Sequence, residues 1–154
     1  MSIMKTILLT AAIGLFWSVG ARAADNPALM EPVKSVFDHY LKIQTALATD
    51  SLAGVAENAD AITKAVEGDG MKMLPATVAT EAATLGKAKD LKTARTLFQP
   101  LSDALIKYLA DHKAKSAYVQ VYCPMAKANW LQADKNVANP YLGKEMPTCG
   151  EIQN

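Results

Sequence analysis

"YVQVY", residues 118–122, runs directly into "CPMAKANWLQADK", residues 123–135, and this junction decides whether the chain is helical to its end. The first five residues are β-branched and aromatic and read as extended. The second stretch is predicted to hold one or two helical turns after Pro124. Beyond it, "NPYLGKEMPTCGE", 139–151, is turn chemistry, punctuated by Asn139-Pro140, Gly143, Pro147 and Gly150. Residues 116–154 are therefore expected to form an irregular C-terminal segment. A segment of that length in a small domain needs a staple, a ligand or a large apolar anchor. Trp130 is the candidate anchor, with its indole N–H expected to find a carbonyl.

Upstream, residues 31–113 read as helix. Pro32 suits the first position of a helix over 31–49, whose stripe is Val33, Val36, Phe37, Tyr40, Leu41 and Leu47. Asp50 and Ser51 are predicted N-caps for a second helix that "EGDG", 67–70, should stop. A third helix is expected from Pro75 to Leu85. Asp90 is expected to cap a fourth over 91–112, kinked near Leu97–Phe98 by Pro100. Four amphipathic segments with short connections predict an all-α fold, an up-down four-helix bundle carrying the irregular tail.

The first residues read as an address. "MSIMKTILLTAAIGLFWSVGARA" has Lys5, an apolar run from Ile7 to about Val19, and Ala21-Arg22-Ala23 as a secretory cleavage pattern. The run is shorter than the ~20 residues a membrane span requires. Residues 1–23 are expected to be a signal peptide, and 24–154 a single soluble periplasmic domain without a membrane span. Lys5 and Arg22 leave with the leader, so 16 basic residues become 14 against 15 acidic ones, net −1. Such a balance offers no footing for nucleic acid or an anionic membrane.

An exported chain gives its two cysteines a particular meaning. In an oxidising compartment, Cys123 and Cys149 default to a disulfide. The closed loop of about 26 residues would contribute roughly 3 kcal/mol in the chain-entropy model. The competing reading is a soft-metal site. Cu(I) and Ag(I) favour thiolate and thioether donors, and Cys123, Met125, Met146 and Cys149 supply two of each. The two readings exclude each other at any instant, because a disulfide sulfur is not a thiolate. Met71 and Met73 in "GDGMKML" are secondary metal candidates. All four methionines have packing as their ordinary alternative. His39 and His112 lie far apart in sequence, and neither forms a catalytic pattern.

"YCPMA", Trp130, "NPY" at 139–141, Gly143, Met146 and "CG" at 149–150 resemble the C-terminal signature of bacterial domain of unknown function family 3347. "YLKIQTALATDSL", 40–52, and "LFQPLSDAL", 97–105, are similar to its helical part. The interval between Cys-Pro-Met and Trp is shorter here than in many members. The resemblance makes Asn139, Pro140, Tyr141 and Gly143 structural anchors beside Trp130. It implies an exported helical domain found beside copper and silver efflux adaptors, with no established reaction.

No phosphate loop or nucleophile elbow is present, and the chain is not expected to be an enzyme. The expected function is capture or transfer of Cu(I) or Ag(I), with an efflux-pump or metal-handling protein of the envelope as partner. The alternative is a disulfide-stapled helical interaction module without metal. A haem bundle is a poor third, since no CxxCH motif occurs.

Overall fold

The computed structural model describes residues 29–114 and 117–153. The leader expected over 1–23 lies outside them. Four helices come first: α1 (Val33–Ala48), α2 (Val55–Glu67), α3 (Ala76–Leu85) and α4 (Leu91–Asp111). They are followed by β1 (Val119–Cys123), β2 (Ala128–Gln132), a short 3-10 turn (Gly143–Glu145) and β3 (Glu151–Ile152). None of the helices among the described residues is long and apolar enough to cross a membrane.

The helical part follows its sequence pattern. Val36, Phe37, Tyr40, Ile43 and Leu47 are fully buried along one face of α1, as i, i+3, i+4 spacing requires. Asp90 caps α4 by accepting from the Thr93 N–H at 2.8 Å. Helix α4 continues through Pro100. One cap differs. Helix α2 starts after Gly54, which sits at φ +77, and neither Asp50 nor Ser51 caps it. Asp50 itself has a positive φ of 58, and its carboxylate is engaged by Arg95 from α4.

The all-α expectation does not hold. The C-terminal part folds as a three-stranded antiparallel sheet in the order β2-β1-β3, so the chain is a mixed α/β protein. The stretch after Pro124 is a hairpin turn, not helix. Cys123 pairs with Ala128, and residues 124–127 make the connection, with Lys127 at φ +52. Proline's fixed φ near −65° suits the second position of a tight turn as well as the first turn of a helix. Pro124 therefore signals both equally. The residues downstream decide. Trp130 is buried across from buried Val121, a cross-strand pair on the face that Gly150 and Tyr141 of the tail cover.

Consecutive helices pack on one another, α1 on α2, α2 on α3, and α3 on α4. Strand β2 lies against both α4 and α1. Helices α1 and α4 also meet directly, Phe37 beside Tyr108 with ring centroids 6.4 Å apart. One hydroxyl ties this join. Tyr40 of α1 accepts the Leu131 N–H of β2 at 3.0 Å and shares a 2.8 Å hydrogen bond with Ser102 of α4. Strand β2 is an edge of the sheet, and Tyr40 satisfies a backbone donor that has no strand beside it. Phe98 stacks on the Tyr40 ring with centroids 5.0 Å apart.

Candidate functional site

The site is the sheet end where the hairpin turn meets the turn before β3. Cys123 is the last residue of β1 and is fully buried. The turn that follows folds back so that the Ala126 N–H points at its sulfur, 3.4 Å away. Cys149 approaches from the other end of the tail and is half-buried. The two free thiols lie beside each other, close enough for each to act on the other's proton affinity.

The surroundings treat the two sulfurs unequally. Burial pushes the Cys123 thiol up, but donors outweigh it: the Cys149 S–H, the Ala126 and Met125 amides and the Asn139 side chain. The net effect brings Cys123 below the ordinary thiol value of 9.0. Cys149 is held above that value, chiefly because it is the donor to Cys123 and also because it is partly buried. Of the two, Cys123 is the sulfur that carries negative charge more readily.

Asn139 builds the wall behind Cys149. It is fully buried. Its Nδ2 donates to the Cys149 carbonyl at 2.6 Å, and its Oδ1 accepts the N–H groups of Tyr141 and Leu142 at 2.8 and 2.9 Å. Its own N–H donates to the Pro147 carbonyl at 2.9 Å. A single buried amide therefore closes the loop from 139 to 149 on itself. The Tyr141 hydroxyl donates to the Asn129 carbonyl of β2 at 2.7 Å, and its ring meets Trp130 edge-on at 6.0 Å. The Trp130 indole N–H finds a carbonyl, that of the Gln132 side chain, at 3.0 Å.

The loop is also fastened to the helices. Arg95 Nε donates to the Pro140 carbonyl at 2.9 Å, and Arg95 Nη2 reaches the Leu47 carbonyl at 3.0 Å and the Asp50 carboxylate. Gly143 passes directly over this ion pair at φ +53, where a Cβ would fall 1.8 Å from Asp50 Oδ1 and 2.2 Å from Arg95 Nη2. Gln44 Nε2 adds a bond to the Ala138 carbonyl at 2.7 Å. Gly150 lies against the sheet core, where a Cβ would meet Val121 Cγ1 at 2.6 Å and Trp130 Cη2 at 2.7 Å.

The four sulfur candidates of the tail divide into two kinds. Cys123 and Cys149 meet. Met125, at the hairpin tip, is 67% exposed, and Met146 is 39% exposed, so neither serves as core filler. Met146 is tied to the pair through its carbonyl, which accepts the Cys149 N–H at 3.2 Å. Met71 and Met73 sit on the α2–α3 connection, Met71 exposed and Met73 packed against the core. His39 is hydrogen-bonded to Asn58 at 2.8 Å, and His112 to the Tyr108 carbonyl at 2.9 Å. The sequence reading overlooked Gln44, Arg95 and the paired role of Asp50. Arg95 offered one signal: it is the lone arginine among the described residues. Arginine's planar fork suits several acceptors at once.

A family profile described as protein of unknown function (DUF3347) matches residues 36–117. The chain belongs to this family. The matched span runs from α1 through α4 and stops short of β1, so the sulfur-bearing sheet lies beyond the shared part. No curated protein and no solved structure matches the chain.

Proposed function

We propose that this DUF3347 protein is an exported soft-metal binder, taking Cu(I) or Ag(I) as cargo without turnover. The carrying observation is the contact between Cys123 and Cys149 at the sheet end, two sulfurs from distant parts of the tail. Soft monovalent ions favour thiolate and thioether donors at low coordination number. Cys123 and Cys149 would hold the ion. Met125 and Met146, both exposed and flexible, are the thioethers free to join them. Release of the thiol protons would accompany binding, since the ligands are thiolates. Delivery to an envelope efflux or metal-handling partner is the role that suits such a site.

A titration against a chromophoric Cu(I) chelator tests the reading, run on reduced and on disulfide-oxidised protein with thiols counted in both. Binding by the reduced form, lost on oxidation, is expected. Unchanged chelator absorbance in both forms overturns the proposal. The same contact favours a second reading, in which the sulfurs close as a permanent staple and the domain serves as an interaction module. A protein whose thiols stay uncounted until strong reductant is added, and which then takes no metal, supports that one.

A further inference from the structure

We propose that the Cys123–Cys149 pair is a directional thiol–disulfide exchange site, with Cys149 the entry sulfur and Cys123 the resolving sulfur. The co-reactant is a disulfide, either of low molecular weight or on another protein. The inference uses the sulfur pair of the proposed metal site but needs no metal.

Direction comes from access. An incoming disulfide must bring two sulfurs in line with the attacking one, so exchange starts at a sulfur that solvent can reach. Cys123 is fully buried, closed over by the hairpin turn and by the 139–149 loop. Cys149 is half-buried on the outer side of the same contact. Only Cys149 can meet a bulky disulfide without the tail opening. Once it has done so, the second thiol is already beside it. Asn139 and the Met146 carbonyl hold the Cys149 backbone in place, and the Ala126 N–H fixes the Cys123 sulfur from the opposite side.

The steps balance as follows. Cys149 loses its proton to solvent and attacks one sulfur of R–S–S–R, forming a Cys149–S–S–R mixed disulfide and releasing RS⁻. Cys123 in turn gives its proton to solvent and, as thiolate, attacks the Cys149 sulfur. The second RS⁻ leaves, and the Cys123–Cys149 bond forms. The protein dithiol gives up two electrons, and the incoming disulfide is reduced to two thiols. The reaction is stoichiometric, and it removes the thiolates on which metal capture depends.

The test uses the full chain, reduced and treated with chelator so that no metal is present, with glutathione disulfide as the probe. Cys123→Ser is expected to accumulate a stable glutathione adduct on Cys149, seen by mass spectrometry. Cys149→Ser is expected to form its adduct on Cys123 at least ~10-fold more slowly, because the remaining thiol is buried. Wild type should pass to the internal disulfide without a lasting adduct. A Cys149→Ser protein that reacts as fast as Cys123→Ser overturns the proposal. Folding of both variants is checked by circular dichroism. Should either be unfolded, a short iodoacetamide pulse on reduced wild type decides, with Cys149 expected to be alkylated first and prior labelling of Cys123 overturning the direction. Neither readout depends on copper, so exchange and metal binding can fail separately.

Discussion

The side-chain amide of Asn139 donates to the Cys149 carbonyl at 2.6 Å while its oxygen accepts two backbone N–H groups. The conformation around the sulfur pair therefore hangs on one buried residue. Replacing it by alanine leaves a buried carbonyl and two amides without partners and opens a small void. Asn139→Ala should destabilise by about 2–4 kcal/mol, since each unsatisfied buried group costs about 1–3 kcal/mol and partial relaxation recovers some of it. Urea denaturation monitored by circular dichroism measures this. The same variant should expose Cys123, read as faster reaction of the buried thiol with an alkylating reagent. A variant of unchanged stability would show that Asn139 does not hold the loop.

Gly143 makes a sharper prediction. Its backbone is left-handed, and an added methyl group would land on Asp50 and Arg95. Gly143→Ala combines a backbone penalty of about 1–2 kcal/mol with disruption of the ion pair beneath it. A total loss of about 2–4 kcal/mol is expected. Gly70→Ala is the control, because nothing lies within 4 Å of its Cβ position and its φ is not positive. That change should be neutral or mildly stabilising, within about 1 kcal/mol. Equal midpoints for the two variants in urea would count against the clamp.

Alkaline pH should unfold the protein through two tyrosines. Burial pushes the Tyr40 and Tyr141 hydroxyls far above their ordinary value of 10.0. Hydrogen bonds from Leu131 and to Ser102 offset this only partly for Tyr40. Between pH 10 and the raised folded values, the unfolded chain loses a proton that the folded chain keeps. The unfolded state then binds fewer protons, so stability falls as pH rises. Each tyrosine contributes about 1.4 kcal/mol per pH unit, and the two together about 2.7. Below pH 10 the contribution is fully present. Tyrosinate absorbance near 295 nm and helical circular dichroism should therefore change together for these two residues. Ionisation of both in a protein still fully helical would contradict their burial.

The helices were legible because their signal is local. Val36, Phe37 and Tyr40 recur at helical spacing, and Asp90 carries its cap three residues before Thr93. The sheet was half legible. The β-branched and aromatic run 118–122 showed β1, but β2 was read as helical turns because Pro124 signals a turn and a helix start alike. Nothing near Ala128–Gln132 shows that Tyr40, far upstream, waits to bond the Leu131 N–H. The cap misread at Asp50 has the same origin. Its carboxylate was assigned to the nearest helix, while the partner that wins is Arg95, 45 residues away. The candidate sulfurs could be named from composition and spacing, and their contact is a property of the folded tail alone.

The exposed methionines separate the metal reading from packing. A buried methionine changed to leucine alters stability by up to about 1.5 kcal/mol. Met125 is 67% exposed and Met146 is 39% exposed, so the same change there should cost no more than about 0.5 kcal/mol. If thioethers complete the coordination begun by Cys123 and Cys149, Met125→Leu and Met146→Leu should each weaken Cu(I) affinity by about tenfold or more, since replacement by leucine removes a soft donor while keeping volume. The double change should weaken it further. Chelator competition on reduced protein gives the affinities, and urea denaturation of the same samples gives the stabilities. Lost affinity at unchanged stability assigns the methionines to the metal. Unchanged affinity in the double variant leaves the two cysteines as the whole of the site, and a fall in stability matching the fall in affinity would assign both methionines to packing.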